Sequence, residues 1–281
     1  MFERMRRGWQ LTKKAWGVIR SHPGLARLPL YGGVLALISA AIFAGPGAYL
    51  LSRDQASTGE KIGGGALVAG GVYLASFFVI YYNVALASAA DQAMRGEQPD
   101  TRAARAVARS KVGIIAGWAL VSALISVLLS VIRDRAGFAG DLIAGIGGAI
   151  WGLVTFMVVP VLAFEGIGPV AAIKRSANLF RQHWGQQITG NVVIGGVSGL
   201  IVLAGVLIGG GGVALLAVGD AAAEVAGAAL LLIGVIVAVG GAVFGGATRG
   251  VFGTALYRYV AEDSAVGPFS VEDLESAART R

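Results

Sequence analysis

Residues 62–90 read IGGGALVAGGVYLASFFVIYYNVALASAA, twenty-nine consecutive residues without a charge, bounded by Lys61 and Asp91. As a helix this run would be about 43 Å long, more than the ~30 Å hydrocarbon core of a bilayer, and it lacks the polar face that a soluble helix keeps toward water. Working outward, five further runs of the same kind stand at Leu28 to Leu51, Val112 to Ile132, Leu142 to Phe164, Ile188 to Val218, and Val225 to Ala247. The chain is therefore expected to be an all-α integral membrane protein with six transmembrane helices. Composition agrees, since 281 residues with 56% apolar and only 14% charged side chains are too apolar for a soluble domain. A spanning β-barrel would need alternating strands instead of continuous apolar runs. Pro46 and Gly209 to Gly212 fall inside these runs and are tolerable there, because neighbouring helices or water can satisfy the backbone they free.

Nineteen of the 23 Lys and Arg fall on one side when the N-terminus, the second and fourth loops and the C-terminal end are grouped together. Only Arg53, Lys61, Arg133 and Arg135 fall on the other. By the positive-inside rule both termini are cytoplasmic and the membrane is the cell inner (plasma) membrane. The formal charge of +7 accordingly points to anionic membrane lipids as partners and not to nucleic acid. A basic, Trp-containing stretch of about 27 residues precedes the first apolar run, longer than the charged region of a cleavable signal, so Met1 to Arg27 is expected to be retained.

Those first residues form a cytoplasmic amphipathic helix and lead-in. Phe2, Met5, Trp9, Thr12, Trp16 and Ile19 recur on one helix face, while Arg4, Arg6, Arg7, Lys13 and Lys14 lie largely off it. After Pro169 the design returns: Val170, Ile173, Ala177, Phe180 and Trp184 make a stripe, with Lys174, Arg175 and Arg181 beside it. Arg7, Leu11, Lys13, Trp16 and Gly17 match Arg175, Leu179, Arg181, Trp184 and Gly185 at a constant offset of 168 residues. A weaker middle copy at Thr101 to Gly113 keeps Val107, Arg109 and Gly113 in register. The expected architecture is a single membrane domain, residues 1–281, built of three repeats of interfacial amphipathic helix plus transmembrane hairpin. Its six-helix bundle covers residues 28–260, with interfacial helices near 101–112 and 169–185 and a cytoplasmic tail at 261–281.

Several segments together resemble a bacterial six-span membrane family known as domain of unknown function 6159. They are GWQLTKKAWGVIRSHPGL, FFVIYYNVALASAA, GIIAGWALVSALIS, WGLVTFMVVPVLAFEGIGPVAAIKRSANLFRQHWG and ALYRYV. The fourth is the most specific, combining Trp151, Thr155, Pro160, Glu165, Gly168, Pro169, Arg175, Ser176 and Trp184. The chain departs from the family pattern in its Gly-rich fifth span and in its tail, where Ala278 replaces the usual closing aromatic. The resemblance implies the six-span fold and no activity.

Chemistry is sparse. With no Cys there is no thiol nucleophile or thiolate metal site, and neither His22 nor His183 sits in an HExxH spacing. Gly140-Asp141 and Gly219-Asp220 approach an intramembrane aspartyl signature but lie at outer loop edges, and Gly63 to Gly65 lacks the Lys-Ser/Thr of a phosphate loop. No catalytic, cofactor or metal residue is expected, and no enzymatic activity. Asn83, Glu165 and Arg249 fall 22, 24 and 25 residues below the outer charges Lys61, Asp141 and Glu224, which places them at one depth, the cytoplasmic edge. They read either as separate boundary residues or as a polar cluster in which Glu165 pairs with Arg249 near Asn83. Lys174 and Arg175 compete for Glu165. The expected function is assembly, scaffolding or lipid handling, with a homo-oligomer or membrane-protein partner allowed. The alternative is a channel or transporter for a small solute with a polar site at the inner end.

Overall fold

The computed structural model describes residues 2–182, 186–271 and 273, and the regular elements among them are helical. In chain order these are α1 (Phe2–Ser21), α2 (Gly24–Ser39), α3 (Gly45–Ser52), α4 (Thr58–Met94), α5 (Thr101–Ser110), α6 (Val112–Thr155), α7 (Val158–Phe164), α8 (Pro169–Gln182), α9 (Gln186–Leu216) and α10 (Ala221–Glu262). Five described segments are long and apolar enough to cross a membrane: Gly24–Ser52, Thr58–Met94, Val112–Arg133, Ile194–Leu216 and Ala221–Glu262. Their outer faces are those of helices in lipid, with Leu37, Leu124, Leu207 and Ile236 each 60% exposed or more.

Local sequence explains where these helices start and bend. Ser57 and Glu60 form a reciprocal capping box that starts α4. The chain from Gly24 to Ser52 passes through a π-helical stretch at Ala40–Ala44 just before Pro46, where the wider turn accommodates a residue with no N–H. The expected fourth span, Leu142 to Phe164, is not one continuous helix. It breaks at Phe156 and Met157, because Pro160 cannot donate to the carbonyl four residues earlier and its ring crowds that carbonyl. Side chains take up carbonyls next to the break: Thr155 Oγ1 donates to Trp151 O at 2.6 Å, and Ser176 Oγ from α8 donates to Val154 O.

Although helical throughout, α6 folds back on itself. Trp118 and Trp151 would be about 50 Å apart on a straight helix. Their rings instead stack at 5.7 Å, and Leu129 lies beside Gly147 and Gly148. The reversal falls between Arg133 and Asp141, whose side chains approach to 3.7 Å.

Helices α9 and α10 form the most intimate pair, and glycine is the cause. A methyl group at Gly205 would lie 2.4 Å from Ala238 N, one at Gly234 would lie 2.4 Å from Gly209 N, and one at Gly212 would lie 2.6 Å from Leu231 N. The backbones touch where small residues face one another.

The buried core gathers at one end of the bundle, the basal end, where α1 and the described segment after α10 lie. Val84 to Leu86, Ile115, Met157, Leu162, Phe252 and Leu256 are all fully buried there, and α1, α5 and α8 pack around them. In α1 the described buried stripe is Gly8, Leu11, Thr12, Ala15, Val18 and Ile19, against α9 and α10; of the expected stripe it includes Thr12 and Ile19 but not Trp9 or Trp16, and the side chains of Phe2 and Met5 lie outside the described ones. Trp9 and Trp16 stand at its margin, with Trp16 against Phe244 at 4.9 Å and Lys13 Nζ 5.6 Å from the Trp9 ring. In α8 the inward residues are Ala172, Ser176 and Leu179, while Val170 faces outward. Both stripes turn because small side chains admit the closest helix approach and leave the long ones at the edge. Trp184 and His183 lie outside the described residues, as do the side chains of Arg4, Arg7 and Phe180. The segment after α10 crosses this same end: Gly267 turns beside Met94 with φ of 66°, Phe269 is buried near Phe252, and Asp273 pairs with Lys14 of α1.

Candidate functional site

At the basal end several charges form bonded groups, and Arg249 lies apart from them. Arg258, near the end of α10, donates through Nε and Nη2 to the two carboxylate oxygens of Asp91 at 2.8 and 2.7 Å. Its Nη1 reaches Glu262, one turn on. Arg95 holds Asp91 from the other side at 3.2 Å, and the Arg258 guanidinium lies 4.2 Å from the Phe164 ring centre. This fork-and-carboxylate geometry joins α4 to α10.

Next to it, Glu165 ends α7. Its Oε1 accepts from Arg175 Nε at 2.9 Å and from the Tyr257 hydroxyl at 3.0 Å. Gly166 at φ 63° and Pro169 turn the chain so that α8 carries Arg175 back over the carboxylate. Lys111 donates to Ala163 O at the end of α7, and its burial pushes the ammonium pKa down. Of the two cations expected to compete for Glu165, Arg175 holds it while Lys174 faces outward. Glu165 is thus bound to Arg175 and Tyr257 instead of Arg249. Ten residues of chain and one tight turn bring Arg175 to it, whereas Arg249 points into a different space.

That space is a cavity of about 610 Å³ between α4, α6, α9 and α10. Arg249 and Asn83 line it together, with Phe156, Pro160, Ser198 and a wall of Gly195, Gly199, Gly245 and Gly246. Gly195 makes room for the guanidinium, since a methyl group there would be 3.3 Å from Nη2. Among the described residues no carboxylate lies within ion-pair distance of Arg249. Asn83 Nδ2 donates to Val79 O at 2.8 Å and Ser198 Oγ donates to Ile194 O at 2.8 Å, so both side chains are anchored to their own helices. A second cavity of about 620 Å³ shares Val79, Asn83, Val202, Ala242 and Gly246 with the first. Its remaining lining is apolar, from Pro29 to Ala40 on α2 and the π-stretch and from Ala238 to Val243 on α10. Val34 and Leu37, on its rim, are themselves exposed.

Sequence reasoning had picked Asn83, Glu165 and Arg249 by depth; the structure brings Asn83 and Arg249 to one cavity and sets Glu165 among other partners. It had passed over Asp91, Tyr257 and Arg258. Their signal was present: Asp91 closes the uninterrupted run 62–90, and Arg258 sits among aromatic residues in ALYRYV. Among the described residues no group of three or more His, Cys, Asp or Glu could hold a metal ion.

No curated protein and no solved structure matches the chain. A family model does match, over residues 64–267, most of the bundle and both polar groups described above. On that match the chain belongs to the family of unknown function (DUF6159).

Proposed function

We propose that this protein is a non-enzymatic, lipid-handling membrane protein that holds an anionic amphiphile within its bundle, the charged group at Arg249 and the chain in the apolar cavity beyond Asn83. The observation that carries this reading is the guanidinium of Arg249, which has no carboxylate partner among the described residues, lining a cavity that is otherwise mostly apolar. An arginine at low dielectric is costly unless a partner brings negative charge, and Arg258, only nine residues away, has two such partners. A ligand can supply what the chain does not. The adjoining cavity favours a lipid over a water-soluble solute, because its lining is apolar and its rim meets the lipid-facing surface.

The topology in this reading is six spans in three repeats, with both termini on the cytoplasmic face of the cell membrane. The fold-back of α6 supports a span pair there. The offset of 168 residues carries buried Gly8 and Leu11 onto buried Ser176 and Leu179, and Ala104, in the middle copy, is buried at the position of Gly8. Arg6, Lys13, Lys174 and Arg181 remain exposed toward anionic headgroups, while Lys14 and Arg175 are engaged within the chain.

The test is the lipid content of the full chain purified in mild detergent, extracted and quantified by mass spectrometry. Wild type should retain an anionic lipid or fatty acid in stoichiometric amount. Loss of one charge-assisted contact in Arg249→Gln should lower retention by about tenfold, whereas Arg6→Gln should leave it unchanged. Equal retention by Arg249→Gln, or retention of zwitterionic lipid alone, would overturn the reading.

A further inference from the structure

A separate pocket of about 400 Å³ opens on the face of α2 turned away from the Arg249 cavities, and it is lined by Gly24, Arg27, Leu28, Tyr31, Tyr82, Thr101 and Arg105. Three helices build it. The start of α2 lies against the start of α5 at Gly24, where an added methyl group would make ordinary van der Waals contact with Thr101 Cγ2 at 3.7 Å. Tyr81 on α4 fixes α5 by donating from its hydroxyl to Arg105 O at 3.2 Å. The rings of Tyr31 and Tyr82 meet at 5.9 Å, and buried Leu28 contributes an apolar wall.

Two arginines line this pocket from different helices. Arg27 stands one turn before Tyr31, and Arg105 one turn after Thr101, whose carbonyl accepts from Arg105 Nε at 3.3 Å. Among the described residues neither arginine has a carboxylate within ion-pair distance. The nearest acid on α5 is its cap, Asp100. Its carboxylate accepts from the backbone N–H groups of Ala103 and Arg102, which hold it below the usual carboxylate range, and Arg102 and Arg105 add to this through their charge. Those amides are consumed, so the pocket's donors are side chains: two guanidinium forks, two phenols and a threonine hydroxyl.

We propose that this pocket binds a phosphate group, clamped between Arg27 and Arg105 with Tyr31 and Tyr82 beside it. Planar forks match phosphate oxygens through paired bonds, and tyrosine is suited to the level where headgroups meet water. The pocket stands on the basal end, where the basic helices gather. A phospholipid headgroup and free phosphate share the recognised chemistry. The proposal does not depend on Arg249, which lines neither this pocket nor its walls.

The full chain in neutral detergent is titrated with dihexanoyl phosphatidylglycerol, dihexanoyl phosphatidylcholine and inorganic phosphate, following thermal unfolding, because a ligand of the folded state at free concentration L stabilises it by RT ln(1 + L/Kd) and so raises the midpoint with its concentration. A concentration-dependent rise with phosphatidylglycerol but not inorganic phosphate identifies the headgroup as source; a rise with both identifies phosphate itself as sufficient. Arg27→Gln and Arg105→Gln should each weaken the response by about tenfold, the worth of one charge-assisted contact. The same titrations run in the Arg249→Gln background should still be weakened by Arg27→Gln and Arg105→Gln, which separates this site from the bundle cavity. Arg27→Lys with Arg105→Lys keeps the charge and loses the forks, and should bind at an intermediate level. No response to phosphatidylglycerol, phosphatidylcholine or inorganic phosphate in wild type, or an undiminished response in either glutamine variant, would overturn the proposal.

Discussion

Alanine at Arg258 is expected to be among the most damaging single changes at the basal end, and alanine at Arg249 among the mildest. Arg258 and Asp91 side chains are each only 11% exposed, and the two meet through a fork of 2.7 and 2.8 Å. Removing one member of such a buried pair costs about 3–5 kcal/mol, because the other is left charged without its partner. Asp91 would still have Arg95, but that side chain is 48% exposed and screened by water, which sets the expectation near the lower bound. Losing the cation above Phe164 adds about 0.5–2 kcal/mol. Together these lower the folded-to-unfolded ratio more than about a hundredfold. Arg249 has no partner to strand, so Arg249→Ala should change stability by no more than about 0.5 kcal/mol in either direction. The assay is unfolding of the detergent-purified chain in a sodium dodecyl sulfate titration, followed by tryptophan fluorescence. Asp91→Asn with Arg258→Gln should cost less than the sum of the single changes. If Arg249→Ala proves as destabilising as Arg258→Ala, the assignment of one arginine to structure and the other to the cavity is wrong.

Glycine substitutions on the same scaffold should act in opposite directions. A methyl group at Gly205 meets backbone at 2.4 Å, so Gly205→Ala should destabilise by about 1–3 kcal/mol, whereas Gly63→Ala, with nothing within 4 Å, should gain up to about 1 kcal/mol from helix propensity; thermal unfolding compares the two. For topology, the chain has no native Cys, so introduced thiols report alone. Ser57→Cys should react with an impermeant reagent in intact cells and Ser110→Cys should be protected, the reverse pattern excluding the proposed orientation.

The long apolar runs were legible because a bilayer imposes a length, and α2 to α4, α9 and α10 follow them closely. The break at Phe156 was less visible: Pro160 marks it, but proline inside membrane helices is common enough that its effect depends on whether Ser176 and Thr155 are placed to take the carbonyls nearby. The packed faces of α1 and α8 were not legible for a different reason. Aromatic spacing draws attention to Trp9 and Trp16, but close approach is set by Gly8, Ala15, Ala172 and Ser176, small residues with no hydropathy signal. Depth along a helix placed Asn83, Glu165 and Arg249 at one level, and it carries no information about direction around the axis or about which neighbour a turn such as Gly166 to Pro169 will deliver.

Direction around the axis decides what the basal end of α10 does. Successive residues turn by about 100°, so the nine residues from Arg249 to Arg258 put the two guanidinium groups on opposite faces. One face looks toward Asp91 and Phe164, and there Arg258 closes α4 and α7 onto α10. Tyr257, one residue round, reaches Glu165 and so ties in the turn before α8. The other face looks toward α9 across Gly195 and Ser198, where small residues leave the space that Arg249 lines. A helix fixed on one side by bonded charges can hold an unbonded charge on the other without moving to shield it. The bonded groups at Asp91, Glu165 and Arg258 thus hold α10 in place beside the cavity, and a chain that lost them would be expected to lose the proposed ligand as well as its stability.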